Sequence, residues 1–161
     1  MKNKMKFVLQ HLEVILAAGF IMFTTVLVIM NVFLRYVMNT GIVWSEEVAT
    51  GSFVWSVFIG SAAAYRNGAL IGVDLLVKKF PKPLYKLVTF LVKTALVVIN
   101  VALTWLSVVY VSLSYTKPTP VLGVSSAWIS SSLIACFGLT SIYSFMHLVN
   151  FVKTMNKKEE V

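Results

Sequence analysis

The densest group of charged side chains in this sequence brings an arginine close to two consecutive carboxylates. Arg35 ends one apolar segment, and the run Ser45, Glu46 and Glu47 begins the next. Paired carboxylates can perform acid–base catalysis, but no candidate nucleophile or metal ligand accompanies this pair. Helix capping by Ser45, the helix dipole acting on both glutamates, and an arginine–glutamate ion pair across the hairpin explain these residues fully. We therefore expect a structural role and no catalytic site, so the chain is not predicted to be an enzyme.

The histidines and the cysteine point away from a cofactor. A single cysteine, Cys136, excludes an intrachain disulfide and a cysteine-based zinc site, and it is expected to be a small packing residue. His11 and His147 could ligate a haem between helices, but their positions near segment ends favour interfacial side chains. No cofactor and no metal site are predicted.

Four long apolar segments must position these groups. They span about residues 14–34, 48–65, 84–113 and 128–151, and a helix needs about 20 residues to cross a bilayer. Unbroken apolar runs such as residues 26–30 exclude the alternating strands of a membrane barrel. With 58% hydrophobic and 12% charged residues, little chain remains for a soluble domain. The sequence predicts an all-α integral membrane protein with four transmembrane helices in a single membrane domain, residues 1–161.

The basic residues that give the net charge of +8 indicate the orientation of the chain in the membrane and do not indicate a nucleic-acid partner. Basic residues flank the first span, the second connection and the end of the fourth span: Lys2, Lys4, Lys6, Arg66, Lys78, Lys79, Lys82, Lys86, Lys153, Lys157 and Lys158. By the positive-inside rule both termini are cytoplasmic, as an even number of spans requires.

The connection between the second and third spans predicts a short amphipathic interfacial helix over about residues 69–80. Asp74 and Lys78 have the four-residue spacing of a helical ion pair, and Pro81 and Pro83 end the segment. An ordinary basic loop is the alternative. The interfacial helix would lie on the inner leaflet of the lipid bilayer.

Small and polar residues recur along three spans at helical spacing, which favours close helix packing in a membrane. They are Ser52, Ser56, Gly60 and Ala64 in the second span, Asn100, Thr104 and Ser107 in the third, and Ala127, Ser131, Ala135 and Gly138 in the fourth. These faces could join the chain's own helices or pack against another protein. The midplane of the spans contains no acidic residue, and Glu13 falls near the start of the first span.

Several linked motifs resemble one family. Residues 34–39 (Leu-Arg-Tyr-Val-Met-Asn), 44–47 (Trp-Ser-Glu-Glu), 53–55 (Phe-Val-Trp), 58–62 (Phe-Ile-Gly-Ser-Ala) and 66–74 resemble the small membrane subunit of tripartite ATP-independent periplasmic (TRAP) transporters. The family often has a histidine where this chain has Leu70. From the motifs and the packing faces we expect structural or interface roles for Arg35, Tyr36, Trp44, Ser45, Glu46, Glu47, Ser52, Trp55, Ser56, Gly60, Ala64, Arg66, Gly72 and Asp74.

The resemblance implies a function that the residues alone do not give. It implies a bacterial inner-membrane subunit that braces the scaffold of a large elevator-type membrane subunit. That large subunit would carry out sodium-coupled uptake of an organic acid, of the C4-dicarboxylate or sialic acid type. A periplasmic substrate-binding protein would deliver the acid, and the outer segments 36–44 and 114–126 would face it.

Two other classes of protein remain as alternatives. One is a self-assembling four-helix channel or small exporter, in which Asn100 and Thr104 could line a pore, although the empty bilayer centre argues against it. The other is a membrane enzyme or haem protein, which the single cysteine and the placement of the histidines disfavour.

Overall fold

The computed structural model describes residues 2–68 and 82–156, which form four long α-helices. These are α1 (Lys2–Val37), α2 (Val43–Arg66), α3 (Lys82–Ser114) and α4 (Ala127–Asn156). Each contains a stretch long and apolar enough to cross a membrane: His11–Val37, Val43–Arg66, Leu84–Ser114 and Ala127–Thr154. The predicted all-helical fold with four spans is confirmed. The predicted interfacial helix at residues 69–80 lies outside the described residues.

Tertiary contact determines where α2 begins, and the prediction that Ser45 is its N-cap is wrong. Ile42 is the cap residue, with extended backbone angles (φ −93°, ψ 102°), and the helix begins at Val43. The Ile42 N–H donates to Asn31 Oδ1 of α1 at 2.9 Å, which orders the chain ahead of the serine. Ser45 therefore lies inside the first turn, buried, and its Oγ donates to Ile42 O at 2.7 Å.

The helices pack as an open row in the order α1–α2–α4–α3. Among the described residues, α1 packs on α2, α2 also packs on α4, and α4 packs on α3. The other helix pairs do not pack along each other, although the Glu13 side chain of α1 reaches Tyr143 of α4. The two outer members of the row therefore expose broad apolar sides, as Phe33 (57% exposed) and Trp105 (71%) illustrate. We call the end of the row with both chain termini the terminal side, and the opposite end the loop side.

Three polar contacts join α1 to α2 at seven-residue steps. Such a step keeps one face of each helix against its neighbour along its length. The contacts are Ser56 Oγ to Ala17 O at 2.8 Å, Thr24 Oγ1 to Ala49 O at 3.4 Å, and Ile42 N to Asn31 Oδ1 at 2.9 Å. The partner positions fall along α2 as they rise along α1, so the two helices are antiparallel.

A glycine notch and two tryptophans join α2 to α4. Trp128 lies so close to Gly51 that a Cβ on this glycine would be 2.1 Å from the indole Cη2. Trp55 Nε1 donates to Trp128 O at 3.0 Å, and the Trp55 ring stacks on Phe20 of α1 at 6.0 Å between centroids. Trp55 therefore contacts both neighbours of α2.

Candidate functional site

The charged group on the loop side forms an exposed ion pair. Arg35 Nη1 lies 3.9 Å from Glu46 Oε1, and the two side chains are 68% and 71% exposed. Both residues line an open cleft of about 190 Å³ between α1 and α2, together with Asn31 and Ser45. The neighbouring Tyr36 and Trp44 are exposed as well. An exposed pair of this kind holds the hairpin weakly and leaves its charges available to a partner.

Glu47 has a different role from its neighbour, because it binds the second loop-side connection. Its Oε2 accepts hydrogen bonds from the backbone N–H groups of Val121 (2.9 Å) and Leu122 (3.3 Å). That connection is itself a hairpin, in which Thr119 N donates to Val124 O at 2.7 Å. A carboxylate that binds two backbone amides fixes this hairpin, and the hairpin presents exposed Val121, Leu122 and Val124.

The small-residue face of α2 is used within the chain. Ser52 and Ser56 are buried, and a Cβ on Gly60 would lie 3.6 Å from Ala17 Cβ of α1. Ala64, the last residue of the face, is half-buried. The face therefore packs against α1 over much of its length.

On α4 the most deeply buried row is shifted by one residue from the predicted one. The predicted positions Ala127, Ser131, Ala135 and Gly138 are half-buried, and a Cβ on Gly138 would meet no atom within 4 Å. The deeply buried row is Ser132, Cys136, Thr140 and Ser144. This shift places the Ser144 hydroxyl, which the sequence does not predict as a contact residue, against two other helices.

A buried ion pair joins α1, α2 and α4 on the terminal side. Glu13 Oε2 lies 3.3 Å from Arg66 Nη1, with side chains only 10% and 21% exposed. Tyr143 OH donates to Glu13 Oε1, and the Arg66 guanidinium lies over the Tyr143 ring at 6.0 Å. A carboxylate and a guanidinium removed from water compensate each other only when paired, so this cluster is a structural joint.

A second polar cluster continues from the first across α4 to α3. Tyr65 OH and Ser144 Oγ lie 2.6 Å apart, and Asn100 Nδ2 donates to Ser144 Oγ at 3.1 Å and to Leu96 O at 2.8 Å. Tyr65 and Tyr143 are chain neighbours of Arg66 and Ser144, so the two clusters adjoin. We call this set, which touches all four helices, the polar belt: Glu13, Tyr65, Arg66, Asn100, Tyr143 and Ser144.

The polar belt is not predicted by the sequence pattern. The family motif predicts an interface role for Arg66, and the sequence places Glu13 near the start of the first span without indicating a partner. A carboxylate inside an apolar segment, with an arginine ending the next one, was the available signal. Gly72 and Asp74, with Leu70, lie outside the described residues.

The contacts of the described polar residues are contacts between helices and hairpins. Within residues 2–68 and 82–156, no three side chains of His, Cys, Asp or Glu lie close enough together to hold a metal ion. The three described carboxylates are engaged with Arg66 and Tyr143, with Arg35, and with the second hairpin.

Comparisons with known proteins give the same assignment as the motifs. Residues 24–154 match the family described as tripartite ATP-independent periplasmic transporters, DctQ component. Over 133 residues the chain is 26% identical to a protein named as a TRAP transporter small permease from Haemophilus influenzae, covering 83% of this chain and 78% of that protein. A second Haemophilus influenzae protein of the same name is 35% identical over 81 residues, half of each chain.

A third relative carries a substrate in its name. It is the C4-dicarboxylate TRAP transporter small permease protein DctQ of Vibrio cholerae, 36% identical over 76 residues, which are 47% of this chain and 33% of that protein. The chain has four apolar helices long enough to span a membrane, and the family match covers most of its length. This chain belongs to the DctQ family, the small permease component of tripartite ATP-independent periplasmic transporters.

Proposed function

We propose that this chain is a rigid brace for the scaffold of a large elevator-type TRAP subunit. The large subunit would move an organic acid with sodium ions, and a periplasmic binding protein would deliver that acid. The polar belt is the observation that carries the proposal, because its hydrogen bonds and ion pair link all four helices. A scaffold must stay fixed while its partner moves, and internal polar contacts provide that rigidity.

The positions of the ionisable groups favour a structural role for this chain over a role in binding and moving the substrate. A transport site needs polar or charged groups near the midplane, where a substrate or an ion can shed its water. In the described spans the carboxylates and arginines lie towards the helix ends, and Asn100 near the midplane bonds to Ser144. The substrate would therefore bind to the large subunit. A C4-dicarboxylate is the first class to test, because the Vibrio cholerae relative is named for it.

The two kinds of surface suit two partners. The apolar flanks of α1 and α3 suit the large subunit within the membrane. The loop side, with exposed Arg35, Glu46 and Tyr36, suits the water-soluble binding protein.

Reconstitution tests the function directly. Liposomes would contain the large subunit alone, this chain alone, or both, and would receive a loaded binding protein and an inward sodium gradient. We expect uptake of labelled organic acid only when both subunits are present. Replacing sodium by choline should abolish it, and an unloaded binding protein is the control. Sodium-dependent uptake by this chain alone would contradict the brace and support the self-assembling channel or exporter.

A conservative variant tests the brace more finely. Tyr143→Phe removes the hydroxyl that binds Glu13 while keeping the ring. We expect a lower maximal uptake rate with unchanged KM for the acid, since the substrate site is on another chain. A changed KM with an unchanged maximal rate would place this chain in substrate binding instead.

The proposed orientation has both termini in the cytoplasm of a bacterial cell. Single cysteines would be introduced into a Cys136→Ala background at exposed positions, with Thr40 and Lys117 on the loop side and Asn67 and Thr154 on the terminal side. An impermeant thiol reagent should label only the first two in intact cells. Labelling of positions 67 and 154 in place of 40 and 117 would show that the chain has the opposite orientation.

A further inference from the structure

We propose that the groove between α3 and α4 on the terminal side binds the phosphate headgroup of an anionic phospholipid through Lys93 and Lys86. The inference concerns the isolated chain in a membrane, so it stands or fails independently of the transport role.

Lys93 lies at a depth where a cation needs a counter-charge. The span Leu84–Ser114 has 31 residues, or about 46 Å of helix, whereas a hydrocarbon core is about 30 Å thick. If the span is centred, the Lys93 backbone lies about 6 Å inside the core boundary. A lone ammonium group at this depth is costly unless it is paired or reaches the headgroups.

No described carboxylate fills that need. Glu13 is engaged with Arg66 and Tyr143, while Glu46 and Glu47 are at the loop side. Lys93 Nζ instead lies 5.6 Å from the centre of the Phe151 ring of α4. The register agrees with this contact, since Asn100 bonds to Ser144 and positions 93 and 151 are each seven residues from that pair. The half-buried Lys93 side chain thus crosses the α3–α4 groove.

A second lysine, Lys86, lies nearer the membrane surface than Lys93, and we call these two residues the basic strip. Lys86 precedes Lys93 by seven residues, which places it on the same face of α3 about 10 Å nearer the helix start. That height is the headgroup region of the same leaflet, and Lys86 is likewise half-buried. Basic pockets between transmembrane helices are typical sites for anionic headgroups. Beside the strip, Leu87, Leu91 and Val98 are exposed along α3 and suit an acyl chain.

Depth favours a lipid over a free anion. A soluble phosphate ion reaching Lys93 would have to enter the hydrocarbon region, whereas a lipid phosphate at the boundary lies between the two lysines and stays hydrated. Its ester-linked chains remain in the core. We therefore commit to a phospholipid with a net negative headgroup, such as phosphatidylglycerol.

Native mass spectrometry of the purified full-length chain tests the proposal. The chain would be offered phosphatidylglycerol or phosphatidylcholine with identical acyl chains. We expect the anionic lipid to bind about 5-fold more for each lysine engaged, or roughly 25-fold in total. Lys93→Met should remove about 5-fold of that preference, and Lys93→Arg should retain it. The matched control Lys117→Met, on the exposed loop-side hairpin, should bind as the unaltered chain does.

Competition and stability arms separate the other outcomes. Inorganic phosphate in millimolar excess should not displace the lipid, and displacement would assign the strip to a soluble anion. The anionic lipid should raise the melting temperature of both the unaltered chain and Lys86→Gln. The rise should be smaller for Lys86→Gln. Equal binding of both lipids, or an unchanged preference in Lys93→Met, would overturn the lipid site and leave the lysines to an acidic partner segment.

Discussion

Burial distinguishes the ion pairs at the two ends of the molecule. The Glu13–Arg66 pair is enclosed by three helices, whereas the Arg35–Glu46 pair is more than two-thirds exposed on both side chains. Removing one partner of a buried pair leaves the other charge without water or counter-charge, and exposed pairs are worth about 0–1 kcal/mol. The more conspicuous charged group of the sequence is therefore the weaker contributor to stability.

The buried pair should dominate stability. We expect Glu13→Ala to cost about 3 kcal/mol or more, because Arg66 and the Tyr143 hydroxyl lose their acceptor. Cys136 is buried and is the single cysteine of the chain, so a thiol-reactive dye reports unfolding on heating. Glu13→Ala should lower the melting temperature by roughly 6 °C or more. The double variant Glu13→Gln/Arg66→Gln should be less damaging than the sum of its single changes, and simple additivity would show that the two groups do not interact.

The exposed pair should contribute little. Arg35→Ala is expected to change stability by less than about 1 kcal/mol, since its partner is 71% exposed and stays hydrated. The charge reversal Arg35→Glu should be somewhat worse than Arg35→Ala, because it adds repulsion near Glu46 and Glu47. Lys117→Ala is the neutral control in the same dye assay. A loss of several kcal/mol for Arg35→Ala would mean that a partner or the bilayer buries the pair.

At the level of helices, run length and residue size account for most of what could be predicted. Four apolar runs give four spans, and the spacing of Ser52, Ser56 and Gly60 gives a packing face. The start of α2 could not be predicted locally, because the Asn31 side chain of another helix orders Ile42. The buried row of α4 was also missed, since two adjacent rows on that helix both consist of small residues.

Glycine substitutions test helix contacts at matched positions. Gly51→Ala should destabilise by about 1–3 kcal/mol, because its Cβ would clash with the Trp128 ring. Gly60→Ala places a Cβ at ordinary contact distance from Ala17, and Gly138→Ala meets open space, so both should be neutral or slightly stabilising. Leucine at 60 should separate α1 from α2. Trp128→Leu should partly rescue Gly51→Ala, and equal melting temperatures for all three alanine variants would refute the notch.

At the level of the whole molecule, the order of the helices in the row was beyond the sequence. Each span is apolar on all sides, because a side that faces lipid and a side that faces another helix are equally apolar. Hydropathy therefore does not indicate which helices touch. The order depends on a few long-range polar contacts between neighbours in the row, such as Trp55 to Trp128 and Asn100 to Ser144, whose partners are far apart in the chain. The helices α1 and α3 therefore lie at opposite ends of the row, and each packs along one other helix.

Cysteine cross-linking tests the open row against a closed four-helix bundle. In a Cys136→Ala background, Ala17→Cys with Gly60→Cys should form a disulfide rapidly on oxidation. The Ala17 Cβ lies 3.6 Å from the place of a Gly60 Cβ, within the range for disulfides. Asn100→Cys with Ser144→Cys should also cross-link, because their side chains now touch. Ala17→Cys with Asn100→Cys should not, since α1 and α3 are separated by two helices. Intact mass after alkylation of free thiols counts the bonds in the monomer. A disulfide between positions 17 and 100 would require α1 and α3 to meet, and the flanks assigned to the large subunit would then be closed off inside a bundle.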